Sequence, residues 1–310
     1  MISRRNIRVK VMQTLYTLES MGAAKPEGYQ QGATILDEKL KRGLDLFVIV
    51  LEYLRQTTAY ASVKATARAS KYLPTQEDLN ASTKIAENTF LQLLTNNKTY
   101  LEKSKEAYIQ HAIHDEWIRK LFLQLETTPE YENYIADNER NAKSEKNIIR
   151  FIWEELILKN ESLMEYFGEE LNGWEDDKAM TVMLMDNFFK SPSRVDFSEM
   201  ISKEKRNYSH DLLRTVLEKK ELNTELIQPK LVNWDSDRVA LIDLLVLQMG
   251  VCELLYFPTI PTKVTINEYI EIAKSYSTQQ SGQFVNGVLD NILKDLEKDN
   301  RIRKQDRIRK

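Results

Sequence analysis

Apolar residues recur three and four positions apart along most of this chain, the spacing of one face of an α-helix. Near the start Ile7, Val11, Leu15 and Leu18 form such a stripe, and Ser3 is a fair cap for a helix beginning at Arg4. Residues 20–34 hold three of the nine glycines and a proline, which predicts a loop. A long helix is expected from about Ile35 to Leu73, with Leu40, Leu44, Phe47, Val48, Leu51 and Leu54 on one side. Its second half, Ala59 to Ala69, is alanine-rich and suits tight helix packing, and Pro74 stops it. Further helices are expected over about Asn80–Asn96 and Thr99–Leu125, with Pro129 and the polar run Asp137–Lys146 as the best interior boundary. Periodicity returns over about Glu145–Leu158, Asp177–Phe189 and Tyr208–Leu217. Asn223, Pro229 and Asn233 then punctuate the way to Trp234, and Asp237–Tyr256 is so apolar that it should be enclosed on all sides.

The stretch from Pro258 to Asp290 organises the rest. Pro258 and Pro261 end the apolar helix before it, and Thr265 and Glu268 stand in the spacing of a capping box. Ile266, Ile270 and Ala273 stripe the next helix, with Lys274 in its last turn, where the helix dipole favours a cation. After a polar connector, Phe284, Val285, Val288, Leu289, Ile292, Leu293 and Leu296 follow at helical spacing. The Asn286-Gly287 pair therefore reads as helix, not hairpin. A glycine inside a helix costs about 1 kcal/mol against alanine, so close approach of another backbone is its expected reason. Strand-like alternation is scarce. The chain reads as all-α.

Composition changes this picture little. Charged residues make up 29% and hydrophobic ones 42% of 310, ordinary for a soluble globular protein. The single cysteine, Cys252, lies in an apolar run and reads as a buried small hydrophobe in a reducing, cytoplasmic setting. No signal peptide is expected at the start, where Arg4, Arg5, Arg8 and Lys10 follow Met1-Ile2. The run Val239–Phe257 has the length of a membrane span but carries Asp243, Gln248 and Glu253. A carboxylate near a bilayer centre costs roughly 2.5–3.5 kcal/mol, so a core helix is expected and no membrane contact.

Net charge is −3, but basic residues gather at both ends. Residues 1–19 hold four against Glu19, and the tail has Arg301, Arg303, Lys304, Arg307, Arg309 and Lys310 against Asp306. On a helical wheel Arg5, Met12 and Tyr16 fall along a second line, with Arg8 between it and the apolar stripe. Arginines beside an exposed aromatic can hold phosphates and stack a base at once; the alternative is a solvated basic face with a tyrosine over the core edge.

Other candidate chemistry is thin. His111 and His114 share a helical spacing but lack a placeable third ligand, so a solvated or core-edge pair is expected in place of a metal site. His210 has no obvious partner, and Met180, Met183 and Met185 read as core filler. Gly-rich phosphate loops, Cys-x-x-Cys and Gly-x-Ser-x-Gly are absent from the sequence. The adjacent acids Glu154-Glu155 and Asp176-Asp177 diverge on a helix. No enzyme, metal or cofactor is expected.

The segment Val246–Tyr276 with Phe284-Val285-Asn286-Gly287-Val288-Leu289-Asp290 resembles the C-terminal part of the NusB family of bacterial transcription antitermination factors. Its best-matching residues are Glu253-Leu254, Pro261, Lys263-Val264, Ile266-Asn267-Glu268 and Ala273-Lys274. The opening S-R-R-N-I-R-V-K-V-M-Q-T-L-Y resembles that family's Arg-rich first helix, and Tyr208–Leu212 resembles the helix before the central one. Asn6 and Gln248 stand where arginines are common in the family. The resemblance implies a NusB-like helical bundle formed by residues 1–20 and 200–298, a helical insertion over 21–199 and a basic tail at 299–310. It further implies binding of boxA-type leader RNA of ribosomal RNA operons with the ribosomal protein NusE, inside an RNA polymerase antitermination complex. By position, Arg4, Arg5, Arg8, Gln13, Tyr16, Gln280 and Phe284 are the implied RNA contacts, and Asp243 an RNA or partner contact. A helical protein-binding scaffold without RNA binding is the alternative. An RNA-modifying enzyme is disfavoured by the missing nucleotide-binding turn.

Overall fold

The computed structural model describes residues 2–198, 201–231 and 239–305. Among these residues all regular structure is helical and there is no strand. In chain order the α-helices are α1 (Arg4–Ser20), α2 (Tyr29–Ala69), α3 (Gln76–Leu79), α4 (Thr89–Thr95), α5 (Lys98–Ser104), α6 (Ala107–His111), α7 (Asp115–Glu126) and α8 (Pro129–Ala136). They continue with α9 (Ala142–Phe151), α10 (Glu161–Glu170), α11 (Trp174–Lys190), α12 (Lys203–Glu218) and α13 (Lys220–Ile227). The last three are α14 (Leu241–Tyr256), α15 (Thr262–Tyr276) and α16 (Ser281–Lys298). Asn233, Trp234, Asp237, Asp306, Arg307, Arg309 and Lys310, singled out above, lie outside the described residues. No described helix is long and apolar enough to cross a membrane.

The chain divides into two compact units, Lys41–Met200 and Ile2–Leu40 with Ile201–Lys310. In the first, α2 supplies a buried run from Leu46 to Leu51 with Tyr53 and Leu54. Rings pack beside it, with Tyr53 against Phe167 and Phe167 against Trp174 at centroid separations of 5.2 and 5.0 Å. Glu52, on the same helix, is buried but accepts from Tyr100 Oη at 2.5 Å and pairs with Arg55. Met180 and Met185 are core, while Met183 is half-buried.

Several boundaries differ from expectation. The stretch 99–125 is broken into α5, α6 and α7, so His111 ends one helix and His114 caps the next, both exposed. No group of three or more potential metal ligands exists among the described residues. Pro129 opens α8, with Thr128 Oγ1 accepting from the Tyr131 amide, because proline suits the first helical position. The alanine-rich half of α2 is largely open, Val63 being 60% exposed; helix propensity, not packing, explains those alanines.

In the second unit α14 is central, contacting α1, α12, α13, α15 and α16; most of it is buried, with Leu244 and Gln248 half-buried and Leu241 and Tyr256 exposed at its ends. The loop expected over 20–34 instead ends where α2 starts at Tyr29. Gly32 lies inside α2 because a Cβ there would come within 2.8 Å of Leu18 and 3.3 Å of Leu213. The tail is placed through Gln305: Lys304 Nζ donates to the carbonyls of Glu253 and Phe257, at 2.8 and 2.9 Å, covering the C-terminal end of α14. Burial, opposed by Glu253, pulls the Lys304 ammonium down to about 8.

The glycine expectation is corrected. A Cβ on Gly287 would meet nothing within 4 Å, whereas one on Gly250 would come within 3.0 Å of both Leu289 methyls. The close helix crossing is at Gly250. Gly250→Ala should therefore cost about 1–3 kcal/mol from overpacking, while Gly287→Ala should gain up to about 1 kcal/mol from helix propensity. Urea unfolding of both variants checks this, and equal effects would refute it.

Candidate nucleic-acid interface

Around α14 one carboxylate gathers four helices. Glu253, fully buried, is held by Arg8 of α1 through paired bonds, Nε to Oε2 at 2.9 Å and Nη2 to Oε1 at 2.8 Å. Tyr208 of α12 donates to Oε2 at 2.6 Å; from α15, Thr265 donates to Oε1 at 2.8 Å and Tyr269 to Oε2 at 3.3 Å. The guanidinium lies 5.7 Å from the ring centres of both tyrosines. Burial works to lower the Arg8 pKa, but the Glu253 hydrogen bonds and the neighbouring Tyr269 and Tyr208 hold it well above the usual arginine value. Burial and the Glu253 charge push both phenols well above theirs.

Thr265 and Glu268 therefore form no capping box. Pro261 is the N-cap and α15 begins at Thr262, so Thr265 already lies within the helix and its hydroxyl is spent on Glu253. Glu268 instead receives Arg5, Nε to Oε2 at 2.9 Å and Nη2 to Oε1 at 3.0 Å, with Arg8 Nη1 3.5 Å away. The Arg5 hydrogen bonds, against burial, hold the Glu268 carboxyl below its ordinary value, and the same bonds raise Arg5.

The residues expected to meet RNA separate into two groups. Arg5 and Tyr16 are exposed, Tyr16 by 46%, and Gln280 is exposed at the start of α16. Arg4 and Gln13 are half-buried, Arg4 bonding Glu204 at 2.6 Å. Arg8 and Phe284 were expected on that surface but are core residues. Arg8 is 2% exposed and committed to Glu253, and Phe284 is 4% exposed inside the packed face of α16. Met12, on the line between Arg5 and Tyr16, is covered as well. Asp243 is also buried; its Oδ2 accepts from Ser281 Oγ at 2.8 Å, and Ser281 Oγ receives the Thr278 amide. It holds the turn that carries Gln280.

A family model described as the NusB family matches residues 178–294. The transcription antitermination protein NusB of Methylacidiphilum infernorum is 38% identical over 141 residues, 45% of this chain and 93% of that protein. The chain belongs to the NusB family. Its likeness extends to the Salinibacter ruber NusB protein, 38% identical over 142 residues, 46% of this chain and 81% of that one. The Bacillus licheniformis NusB protein is 43% identical over 90 residues, 29% of this chain and 70% of its own. No solved structure matches.

Within this NusB-family chain, sequence reasoning missed the role of Glu253, although it had a signal. A lone carboxylate inside an apolar helix demands a partner, and an arginine at the edge of an apolar stripe is the kind that supplies one. Replacing Arg8 by methionine should leave Glu253 buried without its cation and cost about 3–5 kcal/mol. The double change Arg8→Met with Glu253→Met should recover most of this, and urea midpoints within error of wild type for Arg8→Met alone would contradict the assignment. Because the Glu268 pKa is depressed on folding, its contribution is fully present above the unfolded value near 4.5 and lost as pH falls through the lower folded value. Glu268→Gln should therefore lose less stability than wild type between about pH 6 and about pH 3. An unchanged acid dependence would exclude Glu268 as a contributor.

Proposed function

We propose that this chain is a transcription antitermination factor that binds boxA-type leader RNA of ribosomal RNA operons together with the ribosomal protein NusE. It acts within an RNA polymerase antitermination complex, in the cytoplasm, and without catalysis of its own. RNA binding resides in the parts of the chain around α1 and α12–α16, within residues 1–20 and 200–298; the tail at 299–310 adds basic charge.

The observation that carries this reading is the division of labour along α1. Arg8 is spent on the core, which leaves Arg5 and Tyr16 exposed eleven residues apart on nearly one line of the helix. At 1.5 Å per residue their Cα atoms are about 16 Å apart, a span of a few nucleotides. A cation for a phosphate and a ring for a base are thus available on the same side. Arg4, Gln13 and Gln280 are the further contacts, Gln280 on the turn that Asp243 fixes through Ser281. Arg5 must exchange Glu268 for phosphate, which adds an electrostatic cost to binding and makes the carboxylate a brake on it.

Mobility shifts with a ribosomal-leader RNA, with and without NusE, test the reading. Affinity should fall with salt, the slope of log affinity being about −0.7 for each phosphate neutralised on a single strand. Arg5→Ala with Tyr16→Ala should lose roughly tenfold or more, since stacking alone contributes about 1–3 kcal/mol per base. Undiminished binding by this double variant, with helicity intact, would refute the site.

A further inference from the structure

His210, which the sequence leaves without a partner, lies between two of them. Its Nε2 is 3.2 Å from Asp37 Oδ1 and its Nδ1 is 3.4 Å from Tyr29 Oη. Tyr29 begins α2 and Asp37 follows two turns later, while Arg206, His210 and Arg214 recur every four residues along one side of α12. Arg214 Nη2 donates to Tyr29 Oη at 3.0 Å, and its guanidinium carbon lies 4.5 Å from the centre of that ring. Arg206 approaches Asp37 at 3.9 Å.

The donors and acceptors assign the protons. Arg214 can only donate, so it occupies a lone pair of the phenol oxygen and directs the phenol's own proton toward His210 Nδ1. The imidazole then carries its proton on Nε2, facing the Asp37 carboxylate. Carboxylate, imidazole and hydroxyl stand in the order that turns a weak hydroxyl into a nucleophile, with a phenol in the hydroxyl's place. The group is reachable: Tyr29 is half-buried, and the side chains of His210 and Asp37 are 21% and 42% exposed.

We propose that Tyr29 is a modification site, a nucleophilic tyrosine that accepts a phosphoryl group from a phosphoric anhydride such as a nucleoside triphosphate. His210 acts as its base, Asp37 orients the imidazole, and Arg214 stabilises the charge developing on the phenol oxygen. The phenol oxygen attacks phosphorus; the new O–P bond forms as the anhydride P–O bond breaks and the leaving phosphate takes that electron pair. The phenol proton passes to His210 Nδ1. Phosphoryl is favoured over acyl because the product is an aryl phosphate dianion beside Arg214 and a protonated His210, both able to donate to it. An acyl ester would offer Arg214 no anion.

Diisopropyl fluorophosphate, a phosphoryl electrophile that needs no second enzyme, tests this on the full chain. Labelling of each tyrosine is followed by peptide mass spectrometry, with Tyr72, 98% exposed, as the internal reference. At about pH 8 Tyr29 should be labelled at least about tenfold faster than Tyr72 despite its lower exposure. His210→Gln should bring Tyr29 down to the Tyr72 rate or below while leaving Tyr72 unchanged, and Asp37→Asn should give a smaller loss in the same direction. Tyr29 labelled no faster than Tyr72 in the natural chain, or as fast in both variants as in the natural chain, would overturn the proposal.

Discussion

A buried ion pair between Arg8 and Glu253 is the constraint on which the smaller helical unit depends. Two opposite charges in the interior cost several kcal/mol each in lost hydration and recover it only when their hydrogen-bonding capacity is filled. Here it is filled. The carboxylate accepts two guanidinium bonds and three hydroxyl bonds, the donors coming from α1, α12 and α15 while the acceptor belongs to α14. Such a junction contributes geometry as much as stability, because α1 can satisfy the carboxylate in only one rotation about its axis. That rotation decides which side chains of α1 remain outside.

The same junction extends to both ends of the chain. The carbonyl of Glu253 receives Lys304, so the residue whose side chain anchors α1 also has its backbone covered by the tail. Asn300, with φ of 53°, turns the chain out of α16, and the Arg301 amide returns to the Leu296 carbonyl as a helix-terminating bond. Basic charge at the two termini therefore has mixed roles. Arg8 and Lys304 work inside the structure, whereas Arg5 stays half in solvent against Glu268. A reading of these cations as one electrostatic footprint merges side chains with opposite tasks.

How much of this could be read in the sequence follows from what each signal measures. Helical periodicity reports which residues are buried, so the all-α class, the largely buried character of α14 and the helical reading of Asn286-Gly287 were legible. Glycine content is a poorer guide: Gly32 marks close packing within α2, and Gly287 marks nothing within reach of a Cβ. Interruptions between Lys98 and Glu126 were missed because short helices starting after Asn97 and His114 share the period of one long helix. The split among the arginines was illegible for a related reason. A helical wheel places Arg8 near the boundary of the apolar stripe, but only the positions of Tyr208, Glu253 and Tyr269 show that the boundary there is closed.

The claim that Arg8 is an anchor and not a phosphate contact has a direct test in nitrogen-15 NMR of the arginine side chains, recorded on the full chain with and without saturating leader RNA. A buried guanidinium bound on both edges should give an Arg8 Nε–H signal that exchanges slowly with water and keeps its shift when RNA is added, while the Arg5 signal moves. An Arg8 signal that exchanges like a solvated arginine, or that moves with the RNA while Arg5 does not, would contradict the account.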